Sequence, residues 1–168
     1  MIPHRVFGVT GWKNAGKTTL VERLVAEFVR RGWSVSTVKH AHHDVDIDRA
    51  GTDSYRHRAA GATEVALVGG LRYAIMREQE EPTLGEVLAR LAPADLVLIE
   101  GFKRDRHPKI EVRAAAGGDR PALAAGDPTI VAIAADAAPA ETHLPWFRRD
   151  DVAAIADFIG ARLAIAAP

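Results

Sequence analysis

The chain has 168 residues, 48% of them hydrophobic and 26% charged, with 22 basic and 22 acidic side chains and no cysteine. This is ordinary usage for one globular domain, long enough to bury a core without a disulfide or a structural metal. A zero net charge gives no reason to expect nucleic acid or an anionic membrane as partner, and the missing cysteine excludes disulfides, Cys-ligated zinc and thiol catalysis.

Arg5–Thr10 (RVFGVT) is short, apolar and β-branched, and reads as a buried strand. No basic-then-apolar leader pattern stands before it and no apolar run approaches 18 residues, so a soluble, cytoplasmic protein is expected. From Lys17 the period changes. Leu20, Val21, Leu24, Val25, Phe28 and Val29 recur at helical spacing, and Gly32 follows as a stop. Ser34–His40 is a second strand candidate. Strand, helix, strand in this order predicts a right-handed parallel βαβ unit. Ala41–Thr52 is polar and without period, and loops of that length are uncommon unless functional. Asp53–Ala60 is a short helix candidate. Thr63–Val68 and Leu71–Arg77 flank Gly69-Gly70, a hairpin signal. Thr83–Leu91 reads as a helix, with Thr83 and Glu86 forming a capping box. Asp95–Ile99, Lys109–Val112 and Thr129–Ala134 are further strands, and Ala134–Pro145 is a loop. A last helix starts near Asp151, capped by Asp150 or Asp151. The expected class is α/β: one domain over residues 1–168, with a mostly parallel sheet and an antiparallel hairpin near 66–77.

Gly11-Trp12-Lys13-Asn14-Ala15-Gly16-Lys17-Thr18 fits G-x-x-x-x-G-K-[ST] at every fixed position. A strand stands before it and an amphipathic helix after it, which is the context a phosphate loop requires. Gly11 and Gly16 permit backbone angles that a side chain forbids, and let amides reach phosphate oxygens. Lys17 supplies a cation to the β- and γ-phosphates and the Thr18 hydroxyl ligates Mg²⁺, while the helix N-terminus faces the anion. A second carboxylate is expected at a neighbouring strand end. Glu100, closing the run Asp95-Leu96-Val97-Leu98-Ile99, fits that place. The architecture expected of a P-loop NTPase is three-layered, α/β/α.

Two polar segments follow this motif in the sequence. His40-Ala41-His42-His43-Asp44-Val45-Asp46-Ile47-Asp48 allows three readings: a transition-metal site, a loop near nucleotide or substrate, or a solvated connection. Phe102–Lys109 is basic, and either binds a phosphorylated ligand or an acidic partner, or is solvated. The Asn-Lys-x-Asp motif of guanine-selective GTPases is absent, since the only asparagine is Asn14. Asp136, after the strand Thr129–Ala134, is placed to accept hydrogen bonds from guanine N1 and N2.

Taken together, GWKNAGKTTL, VKHAHHDVDIDRAGTDSYRHRAAGA (Val38 to Ala62), LVLIEGFKRDRHPKIEV (Leu96 to Val112) and VAIAAD ending at Asp136 resemble the MobB family of molybdopterin-guanine dinucleotide biosynthesis proteins. The resemblance implies a homodimeric GTP-binding accessory of the MobA-type guanylyltransferase that joins GMP to molybdopterin. It also implies at most weak GTPase activity. Carried over, Gly11–Thr19 would hold the GTP phosphates, so that Thr19 joins the motif residues. Thr18 and Glu100 would serve Mg²⁺, and the His/Asp stretch and Lys103–Lys109 would border the site, with molybdopterin a further ligand candidate. Related dimeric NTPases often carry a lysine directly after the first P-loop glycine. Here that place is Trp12, which fits weak hydrolysis. The alternatives are a metallochaperone-type GTPase using His40, His42 and His43, a small-molecule kinase, and a nucleotide-binding scaffold that docks a partner.

Overall fold

A computed structural model describes residues 4–41, 47–114, 120–140 and 142–164. The chain forms two compact units, one of residues 1–40 and 88–168, the other of residues 41–87.

The first unit is built on a six-stranded sheet of β1 (Val6–Thr10), β2 (Val35–Lys39), β5 (Leu96–Glu100), β6 (Lys109–Arg113), β7 (Ile130–Ala135) and β8 (Trp146–Arg148). The order is β2-β5-β1-β6-β7-β8, and every neighbouring pair is parallel. Strands in parallel sheets are covered on both faces and therefore read as continuous apolar runs, as all five buried residues of β5 do. Helix α1 (Lys17–Arg30) lays Leu20, Leu24 and Phe28 on Phe7, Val9, Leu96, Leu98, Ile110 and Val112. Helix α4 (Val152–Arg162) adds Ile155, Ala156 and Ile159 to the same core and packs along α1. Arg31 ties the two helices, donating to Glu27 on α1 at 2.7 Å and to Asp157 on α4 at 2.6 Å.

Alternation puts Lys109 and Glu111 on the opposite face from Ile110 and Val112. Both are fully buried, and buried charge must find partners. Glu111 accepts from the backbone amides of Leu123 and Ala124 at 2.9 and 3.0 Å, and pairs with Arg113 at 2.8 Å. Lys109 donates to the Asp105 carbonyl and, at 2.6 Å, to the Thr129 hydroxyl. These bonds fold the segments 102–108 and 121–129 over that face. Lys109, expected on the binding edge as part of the basic run, is instead a strut inside the sheet, because its place in β6 turns it away from solvent.

The second unit holds α2 (Asp53–Ala59), the antiparallel pair β3 (Glu64–Val68) and β4 (Tyr73–Arg77), and most of α3 (Leu84–Leu88). The hairpin is a sheet of its own. Its turn is longer than the Gly69-Gly70 signal suggests: Gly69 N–H donates to the Arg72 carbonyl at 2.9 Å, leaving four residues between the strands. Asp48 organises the start of α2, where its Oδ1 accepts from the Arg49 amide and the Thr52 and Ser54 hydroxyls. The expected capping box is formed: Glu86 accepts from the Thr83 amide at 2.8 Å, and the Glu86 amide donates to the Thr83 hydroxyl at 3.3 Å.

Candidate nucleotide-binding site

β1 ends at Thr10 and α1 begins at Lys17, with the Gly11–Gly16 loop between them at the carboxyl edge of the sheet. Gly11 has φ +148° and lies against Val112, whose carbonyl would be 2.5 Å from any Cβ added there. Gly16 has φ +91° and caps α1 with no side-chain hydrogen bond to the first-turn amides. Asn14, at φ 65°, completes the curl of the loop. Glycine is required at the first two places by conformation and close approach, and the result is a helix N-terminus opening to an anion.

Lys17 folds back so that Nζ donates to the Trp12 carbonyl at 2.8 Å. Burial pushes its ammonium below the usual lysine range, Lys103 and Lys39 add to that, and the Glu100 carboxylate opposes it. Such a cation is poised for a polyanion. The Thr18 hydroxyl donates to both oxygens of Glu100, at 2.9 and 3.1 Å, across the gap from α1 to β5. Glu100 is buried, with Lys39 Nζ at 3.6 Å. A hydroxyl and a carboxylate are hard oxygen donors of the kind Mg²⁺ takes when phosphates and waters complete its shell. The pair therefore fits that ion. Among the described residues no cluster of three or more His, Asp or Glu could hold a metal.

Trp12 is pinned, its indole N–H donating to the Pro121 carbonyl at 2.9 Å, with the Lys103 ammonium 5.2 Å and the Arg120 guanidinium 5.6 Å from the ring. Lys13 and Asn14 are exposed and Ala15 is buried beneath the loop. His40 packs on Phe102, ring centroids 4.7 Å apart. His42 and His43 lie outside the described residues.

Beside the first turn of α1 is a cavity of about 410 Å³, lined by Gly16, Thr19, Leu20, Arg23, Asp136, Arg148, Arg149 and Asp150. That is within the size range of small-molecule sites. The expected Asp136 is on its wall, directly after β7.

The sequence matches the family model "Molybdopterin guanine dinucleotide synthesis protein B", MobB, over residues 6–136. It is also 35% identical, over 95% of its own length and 92% of the other's, to the molybdopterin-guanine dinucleotide biosynthesis adapter protein of Escherichia coli. The chain belongs to the MobB family. A Haemophilus influenzae protein with the same description is 43% identical over 62% of this chain, and the match spans 61% of that relative's length. The crystal structure of a MobB homologue from Bacillus stearothermophilus superposes with a TM-score of 0.69 at 30% identity, covering 96% of this chain and 99% of that one.

The P-loop, the Thr18–Glu100 pair and Asp136 in this MobB-family chain were all expected from sequence. Arg149 and Arg23 were not. Arg149 follows a strand of only three residues, β8, which carries no periodic signal and sits after the stretch read as loop.

Proposed function

We propose that the chain binds GTP with Mg²⁺ on Gly11–Thr19 and acts as an accessory to the guanylyltransferase that attaches GMP to molybdopterin. Membership of the MobB family carries a role in molybdenum cofactor biosynthesis; nucleotide, metal and partner are the finer reading. The observation that supports it is the Thr18–Glu100 pair, set against a P-loop whose α1 end opens onto the Asp136 cavity.

Each residue then has a task. The loop amides and Lys17 hold the phosphates, Lys17 exchanging the Trp12 carbonyl for phosphate oxygen. Thr18 and Glu100 hold Mg²⁺, which neutralises charge on the β- and γ-phosphates. Asp136 accepts from the guanine edge. Trp12, fixed on Pro121, stands where related dimeric NTPases have a lysine, so hydrolysis is weak and the protein serves mainly as an adaptor. The half-buried Lys103 and the exposed Arg104 and Arg106 face the partner or molybdopterin. The protein works in the cytoplasm as a homodimer; among the described residues no helix is long and apolar enough to cross a membrane.

Calorimetric titration of GTP and of ATP, each with Mg²⁺, into wild type and Lys17→Ala tests the core of this. GTP is expected to bind at least about tenfold more tightly than ATP, a difference of about 1.4 kcal/mol. Lys17→Ala is expected to abolish binding. Tighter binding of ATP would move the chain toward phosphoryl transfer to a small acceptor and away from the guanine reading.

A further inference from the structure

Asp136 and Arg149 meet on the wall of the 410 Å³ cavity. Arg149 Nε donates to Asp136 Oδ1 at 2.6 Å, and its Nη1 donates to the carbonyl of Ala15, inside the P-loop, at 3.2 Å. One guanidinium thus runs from the phosphate loop to the carboxylate expected to meet the base. It also explains Gly16 a second time, because a Cβ there would stand 2.6 Å from Arg149 Nη1. Two bonds in different directions fix the plane of a group that has five N–H donors, and the side chain keeps 32% of its surface open. The Asp136 side chain is 36% exposed and a carboxylate accepts at about four lone-pair positions, so a ligand donor can be added to the partners it already has.

Side by side, the two groups offer the cavity an acceptor and a donor. Guanine presents the complementary order along one edge: N2–H and N1–H donate, and O6 accepts. Adenine presents an acceptor at N1 and a donor at its exocyclic amine, the reverse sense. We propose that Asp136 and Arg149 read guanine as a unit, Arg149 giving the hydrogen bond to O6 and, through Ala15, setting the distance from base to phosphate loop. Arg149 is then a specificity-determining residue, and its role rests on the GTP reading above. A site built to hydrogen-bond a ligand group rejects the analogue lacking it, because its own polar atoms are left unpaired.

The test uses 6-thio-GTP, which keeps N1–H and N2–H for Asp136 and puts sulfur, a weak acceptor, in place of O6. GTP and 6-thio-GTP, both with Mg²⁺, are titrated calorimetrically into wild type, Arg149→Ala and Arg149→Gln. Wild type is expected to prefer GTP by about tenfold or more, as for a hydrogen bond to a charged donor. In Arg149→Ala the preference should shrink to about twofold or less. Arg149→Gln keeps an amide donor and should retain part of it, and it serves in place of the alanine variant if that one fails to fold. If wild type binds GTP and its analogue equally, or the preference survives intact in the substituted proteins, the inference is overturned while GTP binding stands. If wild type binds neither nucleotide, the GTP reading itself falls and takes this one with it.

Discussion

His107 is 8% exposed, and neither of its ring nitrogens meets a hydrogen-bond partner among the described residues. It lies so close to Gly8 that a Cβ there would be 2.5 Å from Nε2. Burial, with the nearby Lys109 charge adding to it, pushes its pKa from 6.5 down to about 4, so the ring is neutral in the folded protein. The unfolded chain takes up the proton first as pH falls. Stability is therefore full above about pH 6.5, drains away below it, and levels off near pH 4, with a total loss of up to about 3 kcal/mol. Urea unfolding at pH 7 and pH 4.5 should show this slope in wild type and a shallower one in His107→Gln; equal slopes would mean that another group governs acid lability. Little of this was legible in the residues. Phe102–Lys109 reads as one basic run, yet Lys103 reaches the Trp12 ring, His107 enters the core, and Lys109 is locked beneath the sheet. Only Lys109 lies in β6, where pairing on both sides turns it inward; Lys103 and His107 belong to the turn before it, and a turn has no period from which their directions could be read.

At the scale of elements, local rules carried far. α4 starts where the aspartates suggested, and the choice falls on Asp151, whose side chain accepts from the Ala154 amide at 3.2 Å, while Asp150 pairs with Arg148. Asp151→Ala should cost about 1 kcal/mol and lower Tm by about 3 °C, with Asp151→Ser close to wild type. A thermal melt in which alanine and serine behave alike would deny the cap its role. The strands with five or six apolar or alternating residues were all visible in advance. β8 was not, since three residues give no period, and its parallel seat beside β7 is a tertiary event. α3 stops at Leu88 although helical spacing could run on to Leu91. The hairpin signal was right in kind and wrong in detail, because Leu71 and Arg72 join the glycines in the turn.

For the whole molecule, the parallel order of six strands follows from alternating strand and helix signals, but the self-contained β3–β4 pair does not. In the register Val68↔Tyr73 and Ala66↔Ile75, directly opposed residues share a face, and Val68, Tyr73 and Ile75 are 76, 72 and 57% exposed. An apolar strip of this kind on a two-stranded sheet is unstable in water unless something covers it. A second copy is the cover that the proposed homodimer would supply. If so, light scattering should report a dimer for wild type and a monomer for Tyr73→Ser/Ile75→Ser; a doubly substituted protein that stays dimeric would remove the hairpin from the interface.

Lys17 resting on the Trp12 carbonyl has a consequence for exchange kinetics. The loop is closed on itself, with its cation, its glycine angles and the Thr18–Glu100 pair in place. On the proposed reading, a polyphosphate would exchange one oxygen for another at Nζ of a loop already formed, so little of its binding free energy would go into ordering the chain. A lone small anion would gain little beyond that exchange, whereas a triphosphate would also span the loop amides and reach Thr18, so that affinity should grow with the length of the phosphate chain and not with charge alone.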